Sequence, residues 1–189
     1  ANTSFNYGMW HFVVLDSTYP GETLGTLDPA TIAWLEEDLA ANPGRPVAVF
    51  SHHPLLYLET KFQDSDAAFA AIVDKYPIRV VFSGHGHSFI KWQAQGQRFQ
   101  MVGALMDGSY AHVTVDGLLM TVSAVTQNSE GVYTEAAEWR YEIPGANAAL
   151  PGNPVTSLTA NVKQDVLYAE MNLSRPVEKD SSRRKGRLA

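Results

Sequence analysis

Two short apolar runs in this chain each pass without a break into histidines, and that arrangement restricts the fold more than any other feature. Pro46 to Ser51 (Pro-Val-Ala-Val-Phe-Ser) leads into His52-His53-Pro54, and Ile78 to Ser83 (Ile-Arg-Val-Val-Phe-Ser) leads into Gly84-His85-Gly86-His87. Runs of this length and β-branched content read as strands buried on both faces, the form strands take in a parallel sheet. A third such run, Trp10 to Leu15, precedes them and ends at Asp16-Ser17. Parallel neighbours need long crossovers, and the intervening segments provide them. Asp28-Pro29 is a strong helix start, with a side-chain acceptor at the N-cap and a proline where a missing N–H costs nothing. Ile32, Leu35 and Leu39 then form an apolar stripe with Glu36 on its flank, and Asn42-Pro43-Gly44 ends the helix. A second helix is predicted over Ser65 to Tyr76, with Phe69, Ile72 and Val73 inward. Strand, helix, strand, helix, strand is the order of an α/β fold with a parallel sheet.

After Ser88 the texture changes to short β runs joined by turn signals. Phe89 to Ala94 and Arg98 to Leu105 flank Gln95-Gly96, while Ala111 to Val115 and Leu118 to Val125 flank Asp116-Gly117, a hairpin signal. Trp139 to Ile143 adds a further strand. These runs predict a second, mostly antiparallel sheet packed on the first. Residues 1–145 therefore form one partial domain, and 146–189 an extended or disordered C-terminal tail. Within that tail Val162 to Leu173 fits a docked strand or a helix, and Arg175 to Ala189 is charged and poor in core residues.

Composition narrows the chemistry. The formal net charge is -6, so a nucleic-acid duplex is not an expected partner, and an anionic substrate would need local help such as a bound cation. There is no cysteine, which removes thiolate nucleophiles and cysteine-rich zinc sites, so a metal must sit on histidine, carboxylate or amide ligands. No apolar run approaches the roughly 20 residues of a membrane span, and a membrane is likewise not expected as a partner. The compartment stays open. The sequence begins at Ala1 with neither a methionine nor the pattern of a signal peptide, as a processed end would.

Ligands of open α/β sheets bind beyond the carboxyl ends of the strands, and four of the six histidines, His52, His53, His85 and His87, stand at such ends. Glycines on either side of His85 let the backbone turn tightly enough to aim His85 and His87 at one region. His11, alone within an apolar strand, reads as a hydrogen-bonded core residue, and His112, within a predicted hairpin, is treated in the same way. A His-x-His pair also occurs in cupin barrels, but no acid follows His87 at the cupin spacing. Gly-x-Ser-x-Gly is absent, which argues against a serine hydrolase.

Phe50-Ser51-His52-His53-Pro54 followed by Val81-Phe82-Ser83-Gly84-His85-Gly86-His87 resembles the last two metal motifs of the calcineurin-like metallophosphoesterases, the superfamily of purple acid phosphatases and cyclic-nucleotide phosphodiesterases. The stretches Phe12 to Ser17, Gly25 to Leu27 and Ile32 to Leu39 are similar to the family's segments preceding those motifs. The resemblance covers about Ser4 to Val125. It implies the C-terminal half of a four-layer α/β/β/α sandwich and metal-dependent hydrolysis of phosphate mono- or diesters. It makes His52 and His85 ligands of the second metal and His87 a ligand of the first, places His53 beside the site against a substrate phosphate, and leaves Asp16 and Ser17 to shape the loop beneath. It implies no catalytic residue within this chain.

The family's Asp-x-His, Gly-Asp and Gly-Asn-His motifs, which supply the bridging aspartate, an asparagine ligand and the histidine that assists the leaving group, are not in this sequence. Ser4-Phe5-Asn6-Tyr7-Gly8 resembles the segment shortly after the third of them. The complete enzyme would hold two ions of iron, manganese or zinc, about 3.5–4 Å apart. Three neutral imidazoles bring no negative charge, so this chain is expected to hold at most one ion, loosely. Trp10 to Leu15 is expected to have an open edge, with the segment prone to aggregate unless the missing N-terminal half or another chain completes the sheet. The competing reading is a non-catalytic remnant or interaction module. Whether the reading frame upstream of Ala1 encodes the missing motifs separates the two.

Overall fold

A computed structural model describes residues 1–18, 25–57, 63–94, 96–145, 155–163 and 166–173. Its elements run β1 (Thr3–Tyr7), β2 (Trp10–Leu15), α1 (Pro29–Ala41), β3 (Val47–Ser51), α2 (Gln63–Lys75), β4 (Ile78–Ser83), β5 (Ile90–Ala94), β6 (Gln97–Met101), a 3₁₀ turn (Leu105–Asp107), β7 (Ser109–Asp116), β8 (Leu119–Gln127), β9 (Tyr133–Pro144), β10 (Val155–Lys163) and β11 (Val166–Leu173). The chain divides into two units between Ala146 and Asn147.

The fold is α/β, and its first sheet runs β1-β2-β3-β4-β6-β5. The three apolar runs form its parallel centre: β2 pairs with β3 and β3 with β4, in a register that sets Leu15 opposite Ser51 and Ser51 opposite Ser83. Both crossovers are helical. Helix α1 begins where its cap predicts, with Asp28 Oδ1 accepting from the Thr31 N–H at 2.6 Å and Pro29 following. It buries Leu35 and Leu39, while α2 buries Phe69, Ile72 and Val73.

The central strands are covered on both faces. Val13, Val47, Val49, Ile78, Val81 and Phe99 pack beneath the helices. Trp10, Phe12, Ala48, Val80 and Phe82 pack on the other side against Met120, Val122 and Ile143 of the second sheet, whose order is β7-β8-β9. Each fully buried valine or larger side chain is worth about 1.5–3 kcal/mol. Burial on two faces therefore makes the strand ends a rigid platform. Helices, first sheet and second sheet are three layers of the expected sandwich; no element among the described residues forms a second helical layer.

Two expectations need correction. The runs after Ser88 do not all enter the second sheet: β6 pairs parallel with β4, Val80 opposite Arg98 through Ser83 opposite Met101, and β5 pairs antiparallel on its far side. The reason is Phe99, which is buried beneath the helices. Among the described residues only 109–144 build the second sheet. The edge of β2 is also not open, because β1 folds back on it antiparallel through a two-residue turn at Gly8-Met9, pairing Tyr7 with Trp10 and Thr3 with Val14. The exposed edge is thereby moved to β1, where Phe5 is 54% and Tyr7 64% exposed.

In the second unit β10 and β11 form an antiparallel pair, so the described residues of the run from Val162 to Leu173 are in strands rather than a helix. Arg175 to Ala189 lies outside the described residues. No helix among the described residues is long and apolar enough to cross a membrane.

Candidate metal centre

Because Ser51 and Ser83 face each other in parallel register, the segments after them leave the sheet side by side. The Gly84 N–H donates to the His52 carbonyl at 2.9 Å and ties them together. The rings of His52, His53 and His85 then meet, with centroids 4.8 Å apart for His52 and His53, 5.4 Å for His52 and His85, and 4.7 Å for His53 and His85. One nitrogen from each lies within 4.8 Å of the others. His85 and His87 both take left-handed backbone conformations, at φ 70 and 52, and the Gly86 N–H donates to the Gly84 carbonyl at 2.8 Å around His85. Such conformations cost of order 1–3 kcal/mol each in non-glycine residues and collect where function fixes a side chain.

The three rings differ in setting. His52 and His85 are exposed, whereas His53 is buried at 6%. Partial burial, then the neighbouring His85 and His87, hold the His52 imidazole below its ordinary pKa and favour the neutral form a metal requires. His53 is clamped from below. Its backbone N–H donates to Ser17 Oγ at 3.2 Å, its Nδ1 stands 3.0 Å from that same oxygen, and Ser51 Oγ donates to its carbonyl at 2.8 Å. Gly25, at φ 75, lies directly against the ring: a Cβ there would come within 2.2 Å of His53 Cγ. Gly25→Ala is accordingly expected to destabilise the protein by about 2 kcal/mol, a fall of roughly 4–8 °C in Tm. An unchanged melting curve would show that this contact does not fix His53.

His87 stands outside this group of three. Its Nδ1 lies 3.0 Å from Asp107 Oδ2, both side chains being about half exposed. His11 is a core histidine, 1% exposed, with Nδ1 2.8 Å from Asn6 Oδ1 and Nε2 2.7 Å from Asp38 Oδ2. His112 pairs with Glu135 at 2.6 Å on the surface. Asp16 Oδ1 accepts from the Thr18 N–H at 3.0 Å and so shapes its own loop. Sequence reasoning missed Gly25 as the wall behind His53, and Asp107, which lies in a loop without a motif.

The site suits a metal in its general form. Bonds of ~2.0–2.1 Å put tetrahedral nitrogens ~3.3 Å apart, so 4.8 Å closes by rotation of the exposed His52 and His85 rings. Imidazole suits zinc and iron, and three protein ligands would leave a position open. The cluster contains no carboxylate.

Two curated proteins align with part of the chain. A protein of Nostoc sp. named 3',5'-cyclic-nucleotide phosphodiesterase alr5338 is 32% identical over 97 residues, which are 48% of this chain and 36% of the relative. One of Enterobacter lignolyticus named glycerophosphodiester phosphodiesterase GpdQ is 36% identical over 85 residues, 42% of this chain and 31% of the relative. The resemblance is to the calcineurin-like metallophosphoesterases. The matched stretch amounts to about a third of the length of each curated relative. No family model matches the chain. Among solved structures, Vps29 of Chaetomium thermophilum covers 77% of this chain, which spans 61% of that one, at a TM-score of 0.39 and 14% identity. Among the described residues, His52, His53 and His85 form a group that could hold a metal ion.

Proposed function

We propose that the chain is the histidine-bearing part of a metal-dependent phosphate-ester hydrolase, with phosphodiesters as the favoured substrate class. The observation that carries this reading is the convergence of His52, His53 and His85 at the carboxyl ends of paired parallel strands. The choice of diester is supported by the names of both curated relatives. In this reading His52 and His85 share one ion and His87 serves a second in the complete protein.

His53 has a different part. If the Ser17 hydroxyl donates to its Nδ1, 3.0 Å away, the ring proton sits on Nε2. Nε2 is then a donor to a phosphoryl oxygen rather than a ligand, and the Ser17, Ser51 and Gly25 contacts hold it in place. When bound, the ions would supply a hydroxide at neutral pH and offset the charge of the transferring phosphoryl group. The bridging aspartate that would hold two ions together belongs to the Gly-Asp motif this sequence lacks. A second reading, in which the chain alone is a non-catalytic module that binds metal weakly, is favoured by the all-imidazole cluster.

Metal content and hydrolysis of an aryl phosphate mono- and diester, measured on the chain and on a His85→Ala, His87→Ala variant, separate these readings. Metal binding and turnover that both vanish in the variant would support a hydrolase active as it stands. Binding that vanishes, with no turnover in either protein, would assign catalysis to a longer parent. Absence of metal binding by the wild-type chain would overturn the proposal.

A further inference from the structure

Beside the histidine cluster one carboxylate pairs with His87, and its placement differs from that of a mobile surface acid. Asp107 Oδ2 is 3.0 Å from His87 Nδ1. Asp107 closes the 3₁₀ turn Leu105–Asp107, with its own N–H donating to the Ala104 carbonyl at 2.9 Å. The loop is anchored at both ends. The Val102 N–H donates to the Ser83 carbonyl at 2.8 Å, at the root of the segment that carries His85 and His87. The Gln127 N–H donates to the Gly108 carbonyl at 2.8 Å, fixing the other end to β8. Gly108 is left-handed at φ 66, and a Cβ there would stand 2.8 Å from the Gln127 Cβ, so the turn needs glycine. The loop thus runs from the end of the first sheet to the second and delivers a carboxylate to His87.

We infer that Asp107 is a positioning residue: it accepts the Nδ1–H of His87, fixes that tautomer and ring orientation, and leaves the Nε2 lone pair as the metal-binding atom. The inference deepens the proposed function and rests on its assignment of His87 as a ligand. Nδ1 of His87 faces a carboxylate oxygen at 3.0 Å, an acceptor, so the ring carries its proton on that side. A carboxylate behind a ligating imidazole raises its basicity, and loss of such a partner typically weakens metal affinity about 10–100-fold. The same bond restrains a residue at φ 52, a conformation otherwise unfavourable for histidine.

The test has two readouts on the full chain, wild type beside Asp107→Ala, Asp107→Asn and His87→Ala. Nitrogen NMR of the metal-free protein should show His87 as the Nδ1–H tautomer, shifted toward Nε2–H in Asp107→Ala and retained in Asp107→Asn, whose amide oxygen still accepts. Titration with Mn²⁺ and Zn²⁺ should show Asp107→Ala weakened about 10–100-fold and Asp107→Asn less so. An unchanged His87 tautomer in Asp107→Ala, or unchanged affinity there while His87→Ala loses metal, would overturn the inference alone. If the wild type binds neither metal while the tautomer follows Asp107, the failure is that of the metal-site reading.

Discussion

Replacing both His52 and His85 with alanine is expected to weaken binding of a divalent transition ion at least about 100-fold, which corresponds to about 2.8 kcal/mol, with little change in Tm. Two of the three nitrogens that lie within 4.8 Å of one another are removed, and the His53 ring that remains is already engaged by Ser17 at its Nδ1. A lone imidazole is a poor chelate for a hydrated ion. Stability should hold because both side chains are exposed and come after the strands rather than lying within them. Alanine keeps the Cβ at the left-handed position 85, so the backbone there is neither relieved nor newly strained. His53→Ala should behave in the opposite way. That ring is buried against Gly25, so its loss should open a cavity and lower Tm. Isothermal titration and thermal melting on the two variants distinguish a site from a packed cluster. Metal affinity unchanged in the His52→Ala, His85→Ala protein would place any ion elsewhere.

The parts of this protein that were legible in the sequence are those written by short-range signals. The Asp28-Pro29 start of α1 needs only the next turn of chain, and β2, β3 and β4 need only their own apolar runs. The histidine cluster was legible for a related reason: once two buried strands are parallel neighbours, the segments leaving their carboxyl ends must emerge together. Strand β1 was not legible, because Thr3–Tyr7 is almost wholly exposed and carries no core pattern. Its hairpin with β2 depends on a Gly8-Met9 turn that does not resemble the Asn-Gly or Asp-Gly signals. The place of β6 was not legible either. Arg98–Met101 reads as half a hairpin, and only the burial of Phe99 beneath the helices decides that it docks on β4. Asp107 and Gly25 act on histidines through contacts distant in sequence, and no local rule marks them.

Asp38→Ala is expected to be strongly destabilising, because the Asp38 side chain is only 15% exposed and is turned toward the strands. Its carboxylate joins three elements: Oδ2 sits 2.7 Å from His11 Nε2 on β2, and Oδ1 accepts from Ser4 Oγ on β1 at 2.7 Å. The Asp38 carbonyl also accepts from the Asn42 side chain at 2.8 Å, and Asn42 in turn accepts from Asn6 of β1 at 3.0 Å. Removal of the carboxylate leaves a ring nitrogen of a histidine that is 1% exposed without its partner, where water cannot readily replace it. An orphaned buried polar group together with a broken charge-assisted contact costs about 3 kcal/mol, a fall of roughly 6–12 °C in Tm for a protein of this size. Strand β1 should loosen first, since Ser4 and Asn6 both hang on this network, and its amide hydrogens should exchange faster than those of β3. The double change His11→Leu, Asp38→Leu should recover most of the loss, because the groups that lose a partner, Ser4 and Asn6, are not buried and can turn to water. Metal affinity should be unchanged in both variants. A single-variant loss below about 1 kcal/mol, the size of an ordinary exposed pair, would mean that the buried histidine finds another partner and that β1 is held by its backbone pairing to β2 alone.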